Sequence, residues 1–209
     1  MGENSWRYFF TDPASRWDFA ISLGFFIFTL TGFTFFLAFA ETRTGYNMPD
    51  PLMNILPKSD LSTFIFSLTY SAVLAGIFLS ARNPGTFLLA LQVYTAMTLL
   101  RALSMFLLPL EPPPGTIHLT DPFLEHTFYM GRPNYKDLFF SGHTATVFLF
   151  GLVLGNRILK YLFFLAAGIV GYCVIAQRVH YTIDVMAAPV ITTLGFYSVK
   201  RIEKLRKGL

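Results

Sequence analysis

Six stretches of this 209-residue chain, 19–40, 61–81, 83–100, 138–156, 161–177 and 181–199, contain no Lys, Arg or Glu and only one Asp, Asp184. Crossing the hydrocarbon core of a bilayer takes roughly 20 apolar residues. In that medium a helix satisfies its own backbone polar groups. The expected fold is therefore an all-α membrane protein, a six-transmembrane-helix bundle with spans near 17–40, 61–81, 84–109, 138–156, 158–177 and 180–199. Charged residues make up 13% of the chain, against about 25% in a soluble domain. The first apolar run is too long for a cleavable signal, and Asp12 and Asp18 accompany the basic groups before it, so it is expected to remain as an anchor. The single cysteine, Cys173, excludes an intramolecular disulfide. No fixed-period repeat or low-complexity tract divides the chain, and residues 1–209 read as one integral membrane domain ending in a basic tail, 200–209.

Charge placement predicts orientation. Six spans put both termini on one side with the short 2–3 and 4–5 connections, and that side carries ten basic residues: Arg7, Arg16, Arg82, Arg157, Lys160, Lys200, Arg201, Lys204, Arg206 and Lys207. The other side carries five, Arg43, Lys58, Arg132, Lys136 and Arg178, and Arg101 falls within a span. Positive charge favours the cytoplasm, so both termini are expected there. The tail KRIEKLRKG reads as a cluster for anionic lipid, not for nucleic acid. The two long loops, 41–60 and about 110–137, lie on the opposite face, and loops of that length tend to be functional. Within the second, Thr120 or Asp121 before Pro122 has the form of a helix start.

Two histidines stand out against this apolar background. His143 follows Ser141 and Gly142 at the edge of the fourth span, and His180 opens the sixth. The 37 residues between them correspond to about 56 Å of helix, close to one trip down and one back across a core of about 30 Å. Both are thus expected at one depth, on the first turns of two helices that begin on the same face. His180 and Asp184 are spaced to share a helix face, where the carboxylate can hold one ring nitrogen and leave the other as nucleophile or base. Asp184 inside a span costs on the order of 3 kcal/mol, and a histidine partner reduces that cost. The amides after Ser141 favour an anion. These parts describe a phosphate site with a histidine on either side.

KDLFFSGHT, with Asp137, Ser141, Gly142, His143 and Thr144, resembles the first histidine motif of the sphingomyelin synthase-related family, and HYTIDV, with His180, Tyr181, Thr182, Asp184 and Val185, resembles the second. RALSMFLLPLEPPP, with Arg101, Ser104, Met105 and Pro109, is similar to the family's stretch at the end of the third span, and MPD at 48–50 to a motif of the first outer loop. The likeness runs from about 45 to 195. It implies the six-helix bundle of the type-2 phosphatidic acid phosphatase (PAP2) superfamily and metal-independent transfer without a cofactor. In that scheme His180 is the nucleophile, Asp184 orients it, and His143 is the acid and then the base. Arg101 binds phosphate oxygens, with Ser141, Gly142, Thr144, Asp137 and Arg178 as further phosphate or headgroup contacts. The superfamily's arginine six residues before the second histidine is replaced here by Val174, for which Arg178 is a partial substitute, and Pro189 stands where the synthases carry a tyrosine.

The implied activity is transfer of a phosphoryl or phospho-headgroup from a membrane phospholipid to a lipid hydroxyl such as ceramide. With water as acceptor the same site is a lipid phosphate phosphatase or phospholipase C-like hydrolase. A proton-coupled transporter using His143, His180 and Asp184 is the alternative of another class. Lys136 and Asp137 either line the mouth of the site or cap the fourth span. His118 and His126 read as ordinary surface histidines.

Overall fold

The computed structural model describes residues 5–117, 119 and 134–208, with the backbone only at Lys207. Eight helices lie among them: α1 Trp6–Phe9, α2 Pro13–Thr42, α3 Pro51–Ile55, α4 Ser62–Ser80, α5 Pro84–Leu107, α6 Gly142–Val153, α7 Arg157–Ala176 and α8 Thr182–Lys207. Five of these, α2, α4, α5, α7 and α8, are long and apolar enough to cross a membrane, and α6 is a shorter apolar helix. The chain is a multi-pass, all-helical bundle with no strand among the described residues.

Local signals start and stop the helices. Asp12 accepts from the amides of Ala14 and Ser15 ahead of Pro13, Asn83 from Thr86 ahead of Pro84, and Asn156 from Ile158 and Leu159. Such caps satisfy donors that have no partner within the helix. The sequence window places the third span as far as 109, but α5 ends at Leu107 because Leu108 precedes Pro109 and is disfavoured in the α region. In contrast, α8 runs beyond the sixth window to Lys207, so the basic tail is largely helical.

The fourth window, 138–156, differs most. Its helix has only 12 residues, about 18 Å at the usual rise. Helix α6 packs against α4, α5, α7 and α8. Ala145, Val147, Leu149 and Phe150 belong to the main core, with Val93 and Met97 of α5 and Ala188 of α8. Because α6 is wrapped by protein, the non-helical backbone before it can lie buried without meeting lipid; Leu138, Phe140 and Ser141 are all buried. The large exposed side chains, among them Phe25, Phe28 and Phe35 of α2 and Ile158, Leu162 and Leu165 of α7, form the lipid-facing exterior.

Arg206 of α8 pairs with Asp18 of α2, so the first long helix begins where the last one ends. Trp6 Nε1 donates to the Ala81 carbonyl at 2.7 Å, placing α1 at the same end of the bundle. At the other end the loop after α2 is tied to the loop after α5. Tyr46 N donates to Pro109 O at 2.9 Å and Glu111 N to Tyr46 O at 3.0 Å. Gly45 permits this pairing, since a Cβ there would lie 2.5 Å from the Leu110 carbonyl carbon.

Candidate active site

The site begins with the buried start of α6. Ser141 Oγ accepts from the Thr144 amide at 3.5 Å and lies 3.2 Å from Thr144 Oγ1. The Ser141 amide donates to the Asp184 carbonyl at 3.2 Å, stitching the first turn of α6 to the first turn of α8. This bond joins the two histidine motifs. The rings of His143 and His180 face each other edge to face, with centroids 6.4 Å apart.

His180 is not on the first turn of α8, as the spacing predicts, but in the turn before it. Arg178 adopts a left-handed conformation with φ of 60°, which reverses the chain after α7, and α8 starts only at Thr182. Capping geometry, not a shared helix face, brings His180 to Asp184. Asp184 Oδ2 accepts from the Tyr181 amide at 3.0 Å and lies 3.4 Å from His180 Nδ1. His180 and Asp184 are 2% and 0% exposed, so solvent does little to screen them. Asp184 Oδ1 is buried with no hydrogen-bond partner, a costly state for a carboxylate oxygen.

Arg101 enters from α5. Its Nε donates to the Phe140 carbonyl at 3.0 Å, its Nη2 is ion-paired with Asp137, and its Cζ lies 5.2 Å from the centroid of the Phe33 ring. The guanidinium is pressed against Gly142, where a Cβ would lie 2.6 Å from Nη1. A cation therefore occupies the start of α6 beside His143. Arg178 is placed elsewhere: its Nη1 donates to the Pro114 carbonyl at 3.1 Å, and it does not line the cavity described below. Val174, where the superfamily carries arginine, is fully buried among Ile65, Val170 and Cys173.

Several positioning contacts go beyond the sequence motifs, and Gln177 lies in none of them. Asp50 Oδ1 and Oδ2 accept from Thr182 Oγ1 at 2.9 Å and Thr182 N at 2.6 Å, and Oδ1 also accepts from Met53 N at 3.1 Å. One carboxylate thus caps both α3 and α8. Burial pushes its pKa up, but the bonds from Thr182, Met53 and Leu52 outweigh that and hold it below the ordinary value. The Asp50-Pro51 pair is a recognisable cap signature; its second helix is not visible in sequence. Tyr181 donates its hydroxyl to Glu111 O at 3.1 Å and accepts from Met48 N at 3.4 Å. Fully buried Gln177 accepts from Leu61 N at 2.9 Å and donates to Ser62 Oγ at 2.7 Å. Lys136 bridges Arg43 O at 2.6 Å and Glu111 Oε1 at 3.0 Å, joining loops. The amide of Gly45 and then Lys136 hold the Glu111 carboxyl below its usual range. His118, His126, Arg132 and the Thr120–Pro122 helix start lie outside the described residues.

Behind the histidines lies a cavity of about 590 Å³ between α2, α4, α5 and α6. Arg101, Asp137, Gly142 and His143 form its polar head, and Phe26, Leu30, Val73 and Leu91 are typical of its apolar wall. Its size is ordinary for a small-molecule site. Among the described residues no group of three or more His, Cys, Asp or Glu could hold a metal ion.

Residues 136–201 match the family model described as PAP2 superfamily C-terminal. The matched segment contains both histidines, Asp184 and the α6–α8 core that carries them. No match was found among curated proteins. The PAP2 match points to activity of the lipid phosphatase or phosphotransferase type in a membrane enzyme.

Proposed function

We propose that the protein is a membrane lipid phosphotransferase of the sphingomyelin synthase-related kind, working through a phosphohistidine. The observation that carries this reading is the buried pair of imidazoles, 6.4 Å apart, one of them held by Asp184 and the other at the head of an apolar cavity beside Arg101. Asp184 engages Nδ1 of His180 and keeps Nε2 as the attacking atom. As the His180–phosphorus bond forms, the bond from phosphorus to the diacylglycerol oxygen breaks, and His143 donates a proton to that oxygen. In the second half, His143 takes the proton from an acceptor hydroxyl, that oxygen bonds to phosphorus, and the bond to His180 breaks. Microscopic reversal makes one residue serve as acid and then base. Arg101 supplies forked donors to the phosphate oxygens, and the α6 amides add the partial positive charge of a helix start. The orphaned Asp184 Oδ1 and the long contact to His180 fit a site that tightens only around substrate.

The donor is a glycerophospholipid, the acceptor a lipid hydroxyl such as ceramide, and the site faces away from the cytoplasm, where both termini lie. The deciding experiment incubates purified protein with headgroup-labelled phosphatidylcholine or phosphatidylethanolamine, with and without ceramide. A new labelled sphingolipid is expected. Free phospho-headgroup or free phosphate, unchanged by ceramide, would establish water as the acceptor and make the protein a hydrolase. Label trapped on His180 after acid-free quenching supports the covalent step. Full activity in His180→Ala would overturn it.

A further inference from the structure

The four-residue helix α1 is too short to be stable alone, yet it is held firmly. Trp6 is bonded to Ala81 at the end of α4 and sits at the centre of an aromatic cluster. Its ring centroid is 5.6 Å from Phe10, 5.8 Å from Phe19, 5.7 Å from Phe87 and 6.1 Å from Phe9. Phe87 also stacks on Phe19 at 6.4 Å. Of these rings, Phe87 lines the 590 Å³ cavity, at the end opposite Arg101 and His143. The cluster therefore backs the wall that ends the cavity.

The dimensions of that space are telling. Arg101 and Phe87 are 14 residues apart on α5, and so are Leu37 and Leu23 on α2; both pairs line the cavity. Each pair spans about 21 Å of helix. A staggered, extended hydrocarbon advances roughly 1.25 Å per carbon, so about 16 or 17 carbons fill that length. The two helices agree on the length of one extended acyl chain. Helix α2 packs against α5, and no comparable packing joins α2 to α4, although both line the cavity. That gap leads sideways toward lipid.

We propose that this cavity is a ruler for a single acyl chain of the lipid substrate, with the Trp6–Phe87 contact as its floor. One chain extends from the phosphate site toward the rings, and the second stays in the bilayer, outside the gap between α2 and α4. The proposal rests on the lipid-processing reading above for its turnover assay, but binding tests it independently.

The experiment uses full-length protein in detergent and a ladder of saturated phosphatidylethanolamines and phosphatidic acids with 10 to 24 carbons per chain. Diacylglycerol release and the distribution of bound lipid by native mass spectrometry are measured in parallel. For wild type, release is expected to fall at least tenfold between 18 and 22 carbons. Trp6→Ala removes the floor and is expected to extend the longest accepted chain by two to four carbons, with the 10-carbon rate unchanged. Ala90→Phe narrows the cavity 11 residues from Arg101, about 16 Å along α5, and is expected to shorten the limit to about 12 or 13 carbons. Equal 10-carbon rates establish that both variants are folded. An unshifted length profile in both, by release and by bound mass, overturns the ruler even if turnover is normal. Shifted bound-lipid profiles without diacylglycerol release from wild type would overturn the enzymatic reading and leave the ruler standing.

Discussion

Replacing Gly142 with alanine tests whether Arg101 is held at the start of α6 for chemistry. A methyl on Gly142 would sit 2.6 Å from Nη1, 2.7 Å from Cζ and 2.9 Å from Nη2 of Arg101, so the guanidinium must move. It is tethered by the Phe140 carbonyl at 3.0 Å and by Asp137, and movement weakens at least one of these charge-assisted bonds. A bond of that kind is worth about 1.5–3 kcal/mol, or roughly ten- to a hundredfold in kcat/KM if the displaced group also contacts the transition state. Helix propensity acts in the opposite sense. Gly142 is the first residue of α6 and is not among the glycines at positive φ, so alanine favours the helix by up to about 1 kcal/mol. In stability the two effects partly offset, leaving a loss of up to about 3 kcal/mol, whereas in kcat/KM for diacylglycerol release only the displacement counts, and it should drop at least tenfold. Thermal unfolding and initial-rate kinetics on the same preparation separate them. In an Arg101→Ala background the clash disappears, so Gly142→Ala should have almost no further effect on rate, a strongly non-additive cycle. Wild-type turnover in Gly142→Ala, or additive losses in the double variant, would refute a catalytic placement of Arg101.

Asp184→Asn keeps the cap on Tyr181 but removes the charge that orients His180 through Nδ1 and offsets the positive charge its ring gains as Nε2 bonds to phosphorus; kcat should fall at least a hundredfold with lipid binding nearly unchanged, and equal loss of both would contradict an orienting role. Asp50 has its carboxyl held below the ordinary 3.8, so its contribution to stability is present above that value and is lost as pH falls through the depressed one. Asp50→Asn should therefore lower the melting temperature at pH 7, and the gap to wild type should narrow as pH falls below the ordinary 3.8; a gap that widens on acidification would reverse the sign. Gly45→Ala forces a methyl to within 2.5 Å of Leu110 backbone, where nothing flexible can yield, and should cost about 1–3 kcal/mol in thermal unfolding.

The sequence made the helices legible because lipid imposes a simple length rule. The rule failed at α6, whose window counts apolar residues without distinguishing helix from buried irregular chain. Residues 138–141 are as apolar as a span and are shielded by neighbouring helices, so composition carries no signal of the change. The helix-rise arithmetic brought His143 and His180 to one depth, but the predicted shared helix face for His180 and Asp184 was wrong. A non-glycine residue at positive φ, Arg178 here, leaves little trace in sequence, and it is that turn which takes His180 off the helix. The partners of Asp50 and Gln177 were illegible for another reason: they lie 132 and 116 residues away, and polar residues reveal long-range bonds only after the chain has folded.

Helix length also bears on the depth of the chemistry. At about 18 Å, α6 is well short of a core of about 30 Å, and its first turn is buried by α4, α5 and α8 instead of reaching a surface. His143 consequently opens into the space between helices, with the buried ring of His180 beside it. On the proposed function, a lipid phosphate drawn there would leave water, and Arg101, the α6 amides and His143 would replace its hydration. Its acyl chain need never leave an apolar medium, because the cavity continues toward α2 and α4. Headgroup desolvation, not chain transfer, is then the costly step in binding, and the arginine buried against Gly142 is the group placed to offset it. For this reason a cation from α5 can serve a site whose second histidine motif carries Val174 in place of the superfamily's arginine.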